Sequence, residues 1–329
     1  MQSLLYCLPI FLLTSALALS QQTDTPSNDQ STLLQTSFNW IEEQHDYVAS
    51  YVSTTATSLD EYIARDTFDS NMINESYLRM RISQSISTGY DEDFDLSIKA
   101  RLDVPNSRNR VQLFIDSEPD DFDSISDRRR DSTGRKASDD TSENTVAGLS
   151  FWGSAKKTWQ PNLSIGASFR LPLDPYVKGK VRRYDDLPGL WQSRFVQSAS
   201  HYDSKGWRAS TEYDIYRPIA LDDIIRISNE AQYINSSKSW EFYNSYSYYQ
   251  HINKSESIQY SFSIVGANRP NPRVNGYWAR IEWRKQLYKD WLFGKVSPEV
   301  SFPRDRNFSD TYAIFFELEV FFSEHYIPD

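Results

Sequence analysis

The chain has 329 residues, a formal net charge of -10 and 15% aromatic content, with 21 Tyr, 18 Phe and 9 Trp. Its length permits one large domain or two ordinary ones, and its acidity, without a basic tail, argues against nucleic-acid binding. Cys7 is the only cysteine, which excludes a disulfide framework and any cysteine-based metal site.

The stretch "LPIFLLTSALALS" is an apolar run ending in small residues, with Ala18 and Ser20 in the small-x-small positions of a cleavage site. It predicts an export signal over residues 1–20, removed after secretion, and is too short to span a membrane as a helix. Cys7 lies inside this leader, before the apolar run, so it is no lipoprotein cysteine. Residues 21–37 are rich in Ser, Thr and Gln and are expected to be a disordered linker. Ile41, Val48, Val52, Leu59 and Ile63 recur at helical spacing, predicting an amphipathic periplasmic helix over 38–66. Its apolar stripe suits packing on the rest of the protein. A plug, a docking helix for a periplasmic partner and a self-association helix are the other readings.

From Ser76 onward the apolar period becomes two. In "FDLSIKARLDV", Phe94, Leu96, Ile98, Ala100, Leu102 and Val104 alternate with Asp95, Ser97, Lys99, Arg101 and Asp103. The same alternation returns in runs around Met80, Leu113, Ile165, Thr211, Phe262, Ile281 and Phe316. The spacers between runs, among them "VPNSRN", "PLDP", "YDSKG", "NSSK" and "RPNP", carry turn residues. One spacer, Ser117 to Asn144, is long, polar and without apolar period. It is expected to be a mobile surface loop in solvent, or a contact for lipopolysaccharide or its bridging cations.

Strands apolar on one face and charged on the other suit a soluble sandwich or a transmembrane barrel. Three features favour the membrane. The apolar faces are almost free of charge, as lipid requires. The runs are long enough to cross at a tilt. Aromatics (Tyr77, Trp152, Trp159, Tyr184, Trp191, Trp207, Trp240, Trp291 and Phe322) gather at their ends. Without a hydrophobic helix, only a closed barrel pairs every backbone donor inside a bilayer. The expected fold is all-β: a closed antiparallel transmembrane barrel of 12–14 strands over 76–322, followed by a tail at 323–329. The count stays open because "VPNSRN" and "PLDP" both look like short periplasmic turns, yet lie an odd number of connections apart.

The export signal, the cysteine-free remainder and the last run, "YAIFFELEVFF", resemble Gram-negative outer-membrane β-barrel proteins, and within them a group bearing a helix before the barrel. The resemblance implies outer-membrane localisation after export and contact with outer-membrane lipids and lipopolysaccharide. It also implies recognition by the barrel-assembly machinery, through Tyr312, Ile314, Phe316, Leu318, Val320 and Phe322. The chain departs from the class by continuing with "SEHYIPD". No activity, cofactor or metal follows from the resemblance.

Function is expected on the lumen face. Lys178, Lys180 and Arg182 form a basic stripe, and Arg208, Glu212, Arg280, Glu282, Glu317 and Glu319 are further lumen candidates. Cross-strand pairing that fills the interior is one reading. An aqueous pore with a basic stripe that favours anions is the other. The first expectation is therefore a passive, porin-like channel, not an enzyme. The alternative is a structural or interaction barrel with a filled lumen and a docking helix. A third is a lipid hydrolase using His201 with Ser204 or His251 with Ser255. The four histidines lack metal-ligand spacing.

Overall fold

The computed structural model describes residues 28–64, 75–105, 111–117, 124–131, 145–153, 158–169, 172–220 and 223–324. The expected leader, the first residues of the linker and the end of the tail lie outside them.

Helix α1 spans Asn28–Ala64. It begins before Phe38, so the latter part of the expected linker is helical; Leu33, Leu34 and the nearby glutamines are good helix formers. Its buried face shares Val52 with the expected stripe, with Val48 and Leu59 half-buried beside it, and is otherwise built from different residues. His45, Ala49, Val52, Ala56 and Asp60 are buried, whereas Ile41, Tyr47, Tyr51 and Tyr62 are exposed. Small alanines at helical spacing make this face narrow, and the tyrosines stand off it.

The barrel is built from β1 (Tyr77–Ser87), β2 (Asp93–Val104), β3 (Val111–Asp116), β4 (Val146–Trp152), β5 (Trp159–Ser168), β6 (Asp174–Leu187) and β7 (Trp191–Tyr202). It continues through β8 (Gly206–Ala220), β9 (Asp223–Ile234), β10 (Ser239–Asn253), β11 (Glu256–Ala267), β12 (Arg273–Tyr288), β13 (Leu292–Pro303) and β14 (Thr311–Phe322). Each strand pairs antiparallel with its sequence neighbours, and β14 closes on β1. The count is fourteen. Closure leaves no sheet edge, so every strand has hydrogen-bonding partners on both sides. "PLDP" joins β5 to β6 and therefore lies at the end opposite to "VPNSRN", between β2 and β3. One short turn faces outward, which removes the parity conflict.

The register sets the faces. Across the closing seam Leu78, Ile82 and Ile86 meet Phe322, Leu318 and Ile314, while Arg81 and Ser83 meet Glu319 and Glu317. On β2, Phe94 and Leu96 are 54% and 48% exposed, whereas Asp95 and Ser97 are buried. A hydrophobic side more exposed than the charged side is the reverse of a soluble sandwich. It is the pattern of a lipid-facing exterior around a polar interior.

The aromatic girdle is smaller than expected. Trp159, Trp191 and Phe322 point outward at the end that holds the chain's two barrel termini, and Trp207 and Trp240 do so at the other. Arg183 and Arg217 lie over the rings of Trp159 and Trp191 at 5.1 and 5.3 Å, matching the amphipathic character of an interface. Tyr77, Trp152 and Tyr184 instead take inward positions, because strand parity and not nearness to a strand end decides the face. Trp291 is buried with Phe293 and Phe321 in an apolar cluster at the termini end. Val146, Tyr176 and Tyr202, with Phe114 against them, make a second cluster at the far end. The tyrosine rings stack at 4.8 Å. The interior is thus charged in its middle and aromatic towards both ends.

Candidate functional site: the barrel interior

The connection between β3 and β4, expected as a surface loop in solvent, contains a short helix, α2 (Ile125–Asp131). This helix lies against the inner wall. The backbone N–H of Ile125 donates to Glu241 Oε2 on β10 at 2.7 Å, and the Ile125 side chain is buried. Arg128 pairs with Glu230 on β9 and donates to Gln232 Oε1 at 3.2 Å. Arg129 donates to Glu230 Oε2 from Nε at 3.0 Å and from Nη2 at 2.6 Å. Its guanidinium also lies 5.1 Å from the Tyr243 ring centre and 3.5 Å from Glu212. The Glu230 side chain is only 1% exposed. A carboxylate so desolvated requires cationic partners, and α2 supplies two.

The same network continues along the wall. Arg194 on β7 donates to Asp214 Oδ2 from Nε at 2.9 Å and also pairs with Glu212. Arg226 on β9 reaches Asp214 at 3.1 Å and Glu212 at 3.4 Å, and the Tyr216 hydroxyl donates to Asp214 at 3.0 Å. Glu212 thus joins Arg194 and Arg226 to Arg129 of α2.

A second network lines β12–β14, β1 and β2. Arg280 donates to Glu299 at 3.0 Å from Nε. Lys295 sits 2.8 Å from Glu317 and 3.7 Å from Glu282. Arg79 and Arg284 approach Glu319 at 3.5 and 4.0 Å, Arg81 approaches Glu317 at 3.9 Å, and Lys99 pairs with Asp116 at 2.6 Å.

Between these networks the inner face of β6 carries a basic stripe, while β2 carries both signs, with Asp95 and Asp103 on the same face as Arg101. Lys178, Lys180 and Arg182 take successive inward positions on β6. Arg182 lies 5.4 Å from the Trp152 ring centre, and Arg101 on β2 lies 5.9 Å from that of Tyr77. Neither arginine forms an ion pair with a described residue. Arg182 has Arg194, Arg101 and Glu212 within electrostatic range.

The nine sequence-predicted lumen residues fall as follows. Lys178, Lys180 and Arg182 share the basic stretch, and Glu212 belongs to the α2 wall. Arg280, Glu282, Glu317 and Glu319 belong to the second wall, and Arg208 is buried on the inner face of β8. Sequence reasoning missed Arg128, Arg129, Arg194 and Lys295. Arg194 lies in "WQSRFVQS", where both faces are mixed, and Lys295 lies in a run interrupted by Gly294 and Pro298. For Arg128 and Arg129 the available signal was the matching carboxylates, Glu212, Glu230 and Glu241, gathered on three neighbouring strands.

The expected Ser-His pairs do not form. Ser204 Oγ donates to Asp174 at 2.5 Å, and Ser255 Oγ to Asn253 at 2.8 Å. His201 packs edge-on against Trp207 at 4.8 Å, and the His251 backbone N–H donates to Asp223 at 3.1 Å.

No family model matches the chain, and no curated protein matches it in sequence. Solved structures of similar fold include a loop-deleted form of OmpT, an outer-membrane protein of Vibrio cholerae (9% identity, TM-score 0.46, covering 76% of this chain and 99% of that one). The outer-membrane channel DcaP of Acinetobacter baumannii is also similar (8% identity, TM-score 0.44, 76% and 96%), as is the NanC porin (8% identity, TM-score 0.39, 73% and 98%). At such identities the likeness is one of barrel fold alone. The chain's own closure, apolar exterior and ionic interior are those of an outer-membrane β-barrel protein.

Proposed function

We propose that the protein is a passive outer-membrane channel with a preference for small anions. The observation that carries this reading is the unequal interior. Glu212, Asp214, Glu230, Glu299, Glu317 and Glu319 lie in ion-pair networks, while Arg101 on β2 and Arg182 on β6, between the two walls, form no ion pair with a described residue. Solvent reaches these charges: the side chains of Arg194, Arg129, Arg79 and Lys99 remain 25–28% exposed, which supports a water-accessible interior over a dry, filled one. Unpaired guanidiniums in a low-dielectric passage raise the local concentration of anions. The helix α2 occupies space beside β8–β10 and narrows the passage, favouring small solutes.

The test is single-channel recording of purified barrel in a planar bilayer under a KCl gradient. Discrete conductance steps with a reversal potential on the anion-selective side are expected, and R101S together with R182S should move that potential towards zero. Absence of any conductance would end the channel reading.

A further inference from the structure

The lipid-facing surface is not uniformly apolar. On β2 the outward residues are Phe94, Leu96, Ile98, Ala100 and Leu102, and on β14 they run from Tyr312 to Phe322, all hydrophobic. On β7–β10, however, Gln197, Thr211, Asn229 and Asn244 occupy adjacent outward positions inside the strands. They form a row across neighbouring strands. Thr211 Oγ1 donates to Gln197 Oε1 at 2.6 Å, and Asn244 Nδ2 donates to Asn229 Oδ1 at 2.6 Å. Gln197 and Asn229 are exposed. Trp207 and Trp240 begin β8 and β10 and mark the interface on this face, so the row lies at hydrocarbon depth.

Each carboxamide has two donors and two acceptor lone pairs, so the two bonds within the row, with a longer one from Asn229 Nδ2 to the Tyr213 carbonyl at 3.5 Å, leave much of the row's capacity unused. Acyl chains offer no partner for it. Beside the row, Phe242, Ile264, Tyr213 and Val274 flank a groove of about 470 Å³, floored in part by Gly266. On its other side Gly179, Ala199 and Ala209 stand in register and allow close approach of another backbone.

We propose that this face of β6–β10 is the contact surface for a second copy of the chain. The row is uncharged, which argues against a lipopolysaccharide phosphate or a basic partner as its complement. A set of carboxamides is both donor and acceptor, so a copy of itself satisfies it, as an isologous two-fold interface requires. Two copies inserted in the same sense and related by an axis along the membrane normal present their rows to each other in reverse order.

Site-directed cross-linking tests this in native outer membranes, on the full chain. Asn244→Cys or Asn229→Cys should yield a disulfide-linked dimer on mild oxidation, whereas Phe94→Cys, on the hydrophobic face of β2, should not. The parent chain, whose one cysteine is Cys7, sets the background. Heat-modifiable migration on gels verifies that each variant is a folded barrel. No dimer above background from either position, or equal cross-linking from Phe94→Cys, overturns the proposal. The readout does not depend on conductance, so it can fail while the channel reading stands, and the converse.

Discussion

Glu230→Gln is the substitution that most directly tests how α2 is held. The replacement keeps the side chain's shape and removes its charge. In the structure both Glu230 oxygens are engaged by guanidiniums, Arg128 on one and Arg129 on the other, and the side chain is 1% exposed. Hydrogen bonds to charged groups contribute roughly 1.5–3 kcal/mol each, and breaking a buried pair by removing one partner costs about 3–5 kcal/mol. Arg128 and Arg129 are 18% and 26% exposed, so partial solvation favours the lower end, about 3 kcal/mol. With every 1.4 kcal/mol worth tenfold, the undocked population of α2 should rise on the order of 100-fold. Only the docking of one short segment is affected, since the barrel's hydrogen-bonded ring does not run through it. Single-channel recordings of Glu230→Gln should show larger steps or frequent excursions to a larger conductance, and limited proteolysis should nick the β3–β4 connection faster. Unchanged conductance together with an unchanged cleavage rate would refute the reasoning, because α2 would then not depend on Glu230.

Two other substitutions probe the lipid boundary and the serines. Ile98→Arg puts a charge on the outward face of β2 near mid-strand and should destabilise the folded barrel by about 2–4 kcal/mol. Urea unfolding in lipid vesicles reads this, and a midpoint equal to that of the parent would contradict a lipid-facing β2. Ser204→Ala removes the hydroxyl bonded to Asp174 at the far end of β7. Fatty-acid release from phospholipid vesicles should be at background in both parent and variant, and release that Ser204→Ala abolished would restore the hydrolase reading.

The barrel was legible because its signal is local and repeated. A strand between lipid and water must alternate, and "FDLSIKARLDV" or "YAIFFELEVFF" shows that alternation without reference to any other segment. The faces of Lys178, Lys180, Arg182, Glu317 and Glu319 followed from parity alone. Legibility failed where the alternation failed, at Arg194 between two mixed faces and at Lys295 beside Gly294 and Pro298. It also failed in part in α1, whose buried face includes Ala49 and Ala56 beside the expected Val52; alanine says little in a hydropathy pattern, whereas Ile41 of the expected stripe is exposed.

The amino-acid order by itself determined that this chain makes long amphipathic strands, and which side chains share a face, because that depends only on a period of two. Tertiary structure alone decided that the strands number fourteen and close β14 on β1. It also decided that the short helix α2 lies against the inner wall and that Arg128 and Arg129 meet Glu230 across about a hundred residues of chain. Such pairings depend on which strands become neighbours around a ring and on where a desolvated carboxylate can find a cation, neither of which any local pattern encodes.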